Sequence, residues 1–203
     1  MLSVFAAEIL PKLEARVLSE VKNCLLAYST HISNTTNRFP WARPDGGDPL
    51  DLSANYTEVP STEIGRIPDT LVDDSATAGV DDSTFWSAHP HCPLPRCAVT
   101  GACTANKNWL KDWRDLLYYV VSLDAGVTAG VTVNTPSATT VRAAVLLAGP
   151  IVGLQSRADA AEGNTPGNYL EGSNLTTYAD PTKVWETTST TTPFNDQVLV
   201  VAP

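Results

Sequence analysis

The strongest constraint on how this chain can fold is a run of apolar residues near its start that repeats with the period of an α-helix. Over residues 11–33, apolar side chains recur every three or four positions, and charged residues mostly fill the other faces. The apolar positions are Leu13, Val17, Val21, Cys24, Leu25 and Tyr28. Pro11 suits the first turn of such a helix, and Asn34 suits its end. The pattern predicts one long amphipathic N-terminal helix, whose apolar stripe is long for one small domain.

The rest of the chain predicts a sheet that covers this helix. Residues 34–107 are dense in Pro, Gly and Asp and predict a long loop that packs on a core through aromatic and aliphatic anchors. The sequence predicts strands in three places: the end of 108–123 after a short helix, a hairpin in which GVTAGVTVN and TVRAAVLLAGP flank a turn at 134–140, and the closing NDQVLVVAP. A second irregular stretch follows Gly153. We therefore expect an α+β domain, with helical residues 1–33 packed on an antiparallel sheet of about four strands from residues 34–203, as one structural unit.

The composition limits which binding partners and which cellular compartment are expected for this chain. The formal charge is −9 and no basic run occurs, so neither nucleic acid nor an anionic membrane surface is an expected partner. No segment reaches the ~20 apolar residues of a membrane span. Only 17 % of residues are charged, 15 are proline, and Ser, Thr and Asn fill the loops. This balance is typical of an exported, loop-rich protein.

The stretch HPHCPLPRCAVTGAC, residues 89–103, is the densest cluster of metal-binding side chains. His89, His91, Cys92, Cys97 and Cys103 could supply zinc ligands. The cysteine spacings do not match the paired modules of structural zinc sites, and three prolines interrupt the cluster. Disulfides are therefore favoured over a metal, and no cofactor is expected.

Four cysteines allow three disulfide pairings. Cys24 lies on the apolar face of the predicted helix, so a bond from it to a loop cysteine would pin the loop to the helix. If Cys97 pairs with Cys103 in a small local loop, Cys92 remains for Cys24.

Other patterns carry weaker predictions. No G-x-S-x-G elbow or phosphate-binding glycine loop occurs, so no enzyme activity is predicted. Calcium could suit the acidic loops, although solvated carboxylates are the more common outcome. These carboxylates are Asp45, Asp48, Asp51, Asp73, Asp74, Asp81 and Asp82. Asn34, Asn55 and Asn174 begin N-x-Thr glycosylation patterns. Trp109 and Trp113, at helical spacing, are predicted core residues, with a carbohydrate platform as the alternative.

An ordered set of short motifs resembles type IV pilins and pseudopilins, in particular minor-pilin-like proteins of the prepilin type. The motifs are LLAYSTHISNTTNRFPWA (25–42), GRIP (65–68), a Trp-rich segment with its strand (109–121), AVLLAGP (144–150), LQSR (154–157), NYLEG (168–172) and FND (194–196). They cover almost all of residues 13–201. The resemblance implies a long helix on an antiparallel sheet and a structural or minor subunit of a pilus or secretion pseudopilus, exported to a surface filament or the periplasm.

The resemblance also implies how subunits would meet. Pilin helices bundle in the filament core, so Leu13, Val17, Val21, Leu25 and Tyr28 would form a face toward other subunits. One departure is clear: MLSVFAAEIL has Glu8 but no basic leader, no processing site and too few apolar residues to span a membrane. We expect that an apolar segment has been removed, with a partner supplying it as the alternative.

Two other functions compete with a filament subunit. The irregular segments 42–107 and 155–193 could form an adhesive tip for a surface or a glycan, with Trp41 or Trp86 as contacts. An export-pathway enzyme is supported only by the histidines, of which His31 lies at the helix end and the other two in the loop.

Overall fold

The fold is taken from a computed structural model. It describes residues 8–31, 38–45, 57–68, 71, 92, 113, 115–122, 131–134, 138–151, 153–158, 164–179, 184–187 and 196–202. The helices are α1 (Leu10–Ser29), a single 3₁₀ turn (Pro166–Asn168) and α2 (Gly172–Ala179). The strands are β1 (Ile64–Arg66), β2 (Leu117–Val121), β3 (Val131–Asn134), β4 (Ala138–Val141), β5 (Ala143–Leu147), β6 (Val184–Glu186) and β7 (Gln197–Ala202).

Helix α1 confirms the predicted N-terminal helix, with Pro11 in its first turn, but it ends four residues before Ser33. At its end the hydroxyls of Ser29 and Thr30 both donate to the Leu26 carbonyl oxygen, at 3.0 and 2.7 Å. Such short side chains compete with the helical backbone for hydrogen bonds and favour helix ends. The stop therefore lies at these hydroxyls, earlier than the predicted Asn34.

A four-stranded antiparallel sheet in the order β1-β2-β5-β7 forms the centre of the domain. It confirms the α+β class and the antiparallel pairing, but its membership differs from the prediction. Strand β1 lies in a segment predicted to be irregular, because three residues are too few to show an alternating pattern. The hairpin strands β3 and β4 belong to a separate sheet.

The second sheet has the order β4-β3-β6 and corrects two expectations. Strands β3 and β4 form an antiparallel hairpin, as predicted, but β4 begins inside the predicted turn, and β3 and β6 run parallel. The predicted strand TVRAAVLLAGP divides at Arg142, whose backbone N–H donates to the Ala202 carbonyl at 2.9 Å. Strand β6 and helix α2 lie in the stretch after Gly153 that was predicted to be irregular.

Both faces of the central sheet are covered, so the domain has three layers. Every residue of β2 and β5 is buried. Helix α1 packs on one face, and the second sheet with Tyr169 and Leu170 packs on the other. The uninterrupted apolar runs of β2 and β5 follow from this burial, because alternation is expected only where one face meets water.

The segment before β2 is described only in part. Trp113, Asp115 and Leu116 form a turn that leads into β2. The short helix predicted at the start of 108–123 otherwise lies outside the described residues.

Candidate functional site

A disulfide fastens a distant loop residue to α1. Cys24 and Cys92 are both buried, with Cα atoms 4.7 Å apart, and are 68 positions apart in sequence. This is the pair that remains if Cys97 and Cys103 bond locally. Those two cysteines lie outside the described residues with His89 and His91, so the second pair stays a prediction. Because Cys92 is bonded to Cys24, its sulfur is not available to a metal.

The predicted filament face divides into a buried part and an exposed part. Val17, Val21, Leu25 and Tyr28 pack with Cys24 in the core between α1 and the central sheet. Leu13, by contrast, is 43 % exposed, as is its neighbour Ile9 at 45 %. The four buried side chains are therefore used within this domain, and the exposed apolar surface of α1 is at its N-terminal end.

A buried arginine organises the opposite face of the sheet. Arg66 on β1 is 2 % exposed, and its guanidinium carbon lies 3.7 Å from the Tyr118 ring centroid. Its Nε donates to Asp45 at 2.8 Å. The Tyr178 hydroxyl donates to the other oxygen of Asp45. We call Asp45, Arg66, Tyr118 and Tyr178 the arginine cluster; charge pairing and cation–π contact together offset the cost of burying the guanidinium.

The arginine cluster depends on a close backbone approach at Gly65. A Cβ at this position would lie 2.0 Å from the Arg43 carbonyl oxygen and 2.7 Å from its carbon. Arg43 and Arg66 exchange backbone hydrogen bonds of 3.1 and 2.7 Å. Only glycine leaves room for this pairing, which holds the FPWAR segment along the edge of the sheet.

A second polar group lies where α2 meets the start of β7. Asp196 is 4 % exposed, and its Oδ2 accepts from the Glu171 backbone N–H at 3.1 Å and from Asn174 Nδ2 at 3.2 Å. The Glu171 side chain accepts from Gln155 Nε2 at 3.1 Å. Burial, together with the nearby Glu171 carboxyl, raises the pKa of Asp196 to about 7. We call Gln155, Arg157, Glu171, Asn174 and Asp196 the carboxyl junction.

Asn174 holds α2 against β6. Its side-chain oxygen accepts from the Glu186 backbone N–H at 2.8 Å, and its Nδ2 donates to the Glu186 carbonyl at 3.1 Å. Thr177 Oγ1 likewise donates to the Val184 carbonyl at 2.9 Å. Asn174 is fully buried, so this predicted glycosylation position is inaccessible in the folded chain. Asn34 and Asn55 lie outside the described residues.

Tyr169 connects the arginine cluster to the carboxyl junction. Its ring centroid lies 4.8 Å from the guanidinium carbon of Arg66 and 4.4 Å from that of Arg157. Arg157 also donates to the backbone carbonyls of Asn168 at 2.6 Å and Gly149 at 3.1 Å. The GRIP, LQSR, NYLEG and FND motifs therefore meet in one interior network, although they are widely separated in sequence.

An open groove lies beside the N-terminal end of α1. It has a volume of about 210 Å³ and is mostly apolar. Its walls are Leu10, Glu14, Trp113, Leu116, Ala148, Gly149, Pro150 and Arg157. Burial raises the pKa of Glu14, against the opposing effect of a 2.6 Å hydrogen bond from Gln197 Nε2.

The described residues contain no group of three or more His, Cys, Asp or Glu side chains that could hold a metal ion. Of the acidic residues considered for calcium, Asp45 is engaged by Arg66 and Tyr178, and the other six lie outside the described part of the chain. No described helix is both long and apolar enough to cross a membrane.

The tryptophans and histidines are placed only in part. Trp113 packs against the core beside α1, as a core residue would. Trp41 is half-buried, and its backbone N–H donates to Glu58 Oε2 at 3.0 Å. His31 follows α1 directly, and Trp86 and Trp109 lie outside the described residues.

The sequence patterns gave Asp45 and Asn174 other roles, in calcium binding and glycosylation, and gave no role to the remaining residues of the arginine cluster and the carboxyl junction. Arg66, Arg157 and Glu171 lie in the quoted motifs, but the motifs gave no indication of what these side chains contact. The available signal was Asp196, an acidic residue directly before the apolar run QVLVVA. The residues next to Asp196 do not identify its partner, because Glu171 lies 25 residues away in sequence.

No protein-family model, no curated protein and no solved structure matches this chain.

Proposed function

We propose that this chain is the globular part of a structural or minor subunit of a type IV pilus or a related secretion pseudopilus, without enzymatic activity. The observation that carries the proposal is the convergence of the motifs that resemble minor pilins. Arg66 and Arg157 both lie against the Tyr169 ring. The Glu171 backbone N–H donates to Asp196, so the motifs meet inside the domain, as is expected of motifs that define a shared fold.

The arrangement of α1 adds to this support. One long helix packs on one face of an antiparallel sheet, which is the layout implied by the resemblance. The N-terminal end of α1 exposes Ile9 and Leu13 beside the apolar groove. In this proposal the contact between subunits is made by that end, because the rest of the predicted filament face is buried in the domain.

The proposal is tested by affinity purification of the tagged chain from the cells that produce it, with mass spectrometry of the proteins that co-purify. Leu13→Asp places a charge on the exposed end of α1 without entering the core. We expect pilin or pseudopilin subunits to co-purify with the unaltered chain, and a loss of at least about tenfold with Leu13→Asp, since a buried unpaired charge typically costs more than 1.4 kcal/mol.

Val59→Asp is the matched control, because Val59 is 42 % exposed and lies far from α1 in sequence. Its effect on co-purification should be small. Absence of every filament component, or equal losses from the two variants, would overturn the proposal.

The adhesive-module alternative remains a second proposal with a different test. It predicts glycan or surface binding that is lost on substitution of Trp41 or Trp86. Binding of that kind by a chain that captures no filament subunit would favour it over the filament proposal.

A further inference from the structure

Asp196 is a buried carboxyl group that the proposed filament role does not use. Its Oδ2 accepts two hydrogen bonds, but its Oδ1 is buried with no hydrogen-bond partner among the described residues. A buried acceptor left without a donor costs about 1–3 kcal/mol, and more when it is charged. Protonation of one carboxyl group removes this cost, because the proton can then be shared with a neighbouring acceptor.

The neighbouring acceptor is the Glu171 carboxyl, which lies within hydrogen-bonding reach of Asp196. Both side chains are less than 10 % exposed, at 7 % and 4 %. Two ionised carboxylates at this range repel one another, and this repulsion adds to burial in raising the pKa of Asp196.

Charged and neutral side chains from several segments surround this pair. Arg157, from the segment after β5, has an attractive electrostatic interaction with both carboxyl groups. Its Nη2 is buried without a partner among the described residues, so it does not form a hydrogen-bonded ion pair with Asp196. Two neutral side chains also contact the pair: Gln155 donates to Glu171, and Asn174 of α2 donates to Asp196.

We propose that Asp196 and Glu171 act as a proton-operated latch, in which a shared proton holds the start of β7 against the residues that begin α2, and loss of the proton to solvent loosens this contact. The contact that needs the proton is the hydrogen bond between the two carboxyl groups. The Glu171 backbone N–H and the Asn174 side chain, which also holds β6, donate to Asp196 Oδ2 whether or not the carboxyl group carries the proton. The latch therefore controls the attachment of α2 and β6 to the central sheet. It does not depend on the proposed filament role.

The direction of the pH dependence follows from the raised pKa of Asp196. An acid whose pKa is higher in the folded state than in the unfolded state stabilises the fold at low pH and loses that stabilisation as the pH rises through the folded value. The stabilisation is therefore lost as the pH rises from the ordinary pKa of 3.8 to about 7. Within this pH range the folded state binds up to one proton more than the unfolded state. The folding equilibrium constant therefore falls about tenfold for each unit by which the pH rises.

The test compares the pH dependence of urea unfolding for the unaltered chain and Asp196→Asn between pH 4 and 8. The asparagine amide can keep the two contacts of Oδ2 and donate to Glu171, as the protonated acid does, but it cannot lose a proton. We expect the slope of log K against pH to be smaller by about one proton in Asp196→Asn. Glu8→Gln, at an exposed position, is the matched control and should keep the original slope.

Amide hydrogen exchange locates the effect. After correction for the intrinsic rate, protection over 169–178 should fall between pH 6 and 8 in the unaltered chain, whereas 117–121 in β2 stays protected. If Asp196→Asn fails to fold, Glu171→Gln supplies the same test, because its amide can donate to Asp196 and shifts the transition to lower pH. Equal slopes for the unaltered chain and the variants, or uniform loss of protection across both segments, would overturn the latch.

Discussion

The two faces of the central sheet are held by different physical means. Toward α1 the contact is apolar and is closed by the Cys24–Cys92 disulfide. Toward the second sheet, the contact contains the buried guanidinium group of Arg66, the half-buried one of Arg157, several tyrosine rings and the Asp196–Glu171 pair. An apolar face tolerates changes of detail as long as volume is kept, whereas a buried charge has to keep its own partner.

The comparison predicts that the α1 face depends most on its covalent bond. Replacing both Cys24 and Cys92 with alanine should lower the free energy of unfolding by roughly 4 kcal/mol, the loop-closure value for a bridge of this length. Urea unfolding without reductant measures the loss, and peptide mapping of the unreduced chain verifies the bond. A loss below about 1 kcal/mol would show that the apolar contact alone holds α1.

On the opposite face, Arg66→Met should cost about 3 kcal/mol, because it leaves Asp45 without its cation. The double variant Arg66→Met/Asp45→Asn should recover part of that loss, and the difference gives the coupling between the two residues. Arg16→Met is the control: its side chain is 76 % exposed and its pair with Glu20 is a surface pair worth less than about 0.5 kcal/mol. Strictly additive losses at positions 66 and 45 would contradict a paired role.

Gly65→Ala probes the backbone support of the arginine cluster. The added methyl group would meet the Arg43 carbonyl, which cannot move without breaking the bridge between Arg43 and Arg66. We expect a destabilisation of about 1–3 kcal/mol. Gly167→Ala is the matched control, since its nearest contact would be a leucine side chain at 3.7 Å. Equal effects of the two substitutions would show that the strand edge is not tightly constrained.

The smallest expected effect concerns Glu14, a buried carboxyl on the α1 face. Burial raises the pKa of Glu14, so this group favours the fold at low pH and costs stability as the pH rises. Glu14→Gln should therefore stabilise the domain slightly near pH 8 and change little near pH 4. Thermal unfolding at the two pH values measures this, and a loss of stability at pH 8 would mean that the ionised form is needed.

The sequence predictions succeeded on the α1 face of the central sheet and missed several elements elsewhere. Helix α1 and its apolar stripe were predicted because Val17, Val21 and Leu25 repeat within one element, where local spacing carries the information. Strands β1 and β6 were missed because each has only three residues. Helix α2 was missed because GSNLTTYA is rich in residues that favour turns, and it is stabilised by contacts of Asn174 and Thr177 with β6.

The sequence by itself determined the N-terminal helix, the α+β class and the hairpin of β3 and β4, since each depends on residues close in the chain. The tertiary structure decided that Cys24 meets Cys92, that the strands divide between two sheets, and that Arg66, Glu171 and Asp196 become buried. These outcomes depend on contacts between residues far apart in sequence. A charged side chain is buried only where the whole fold brings it a partner.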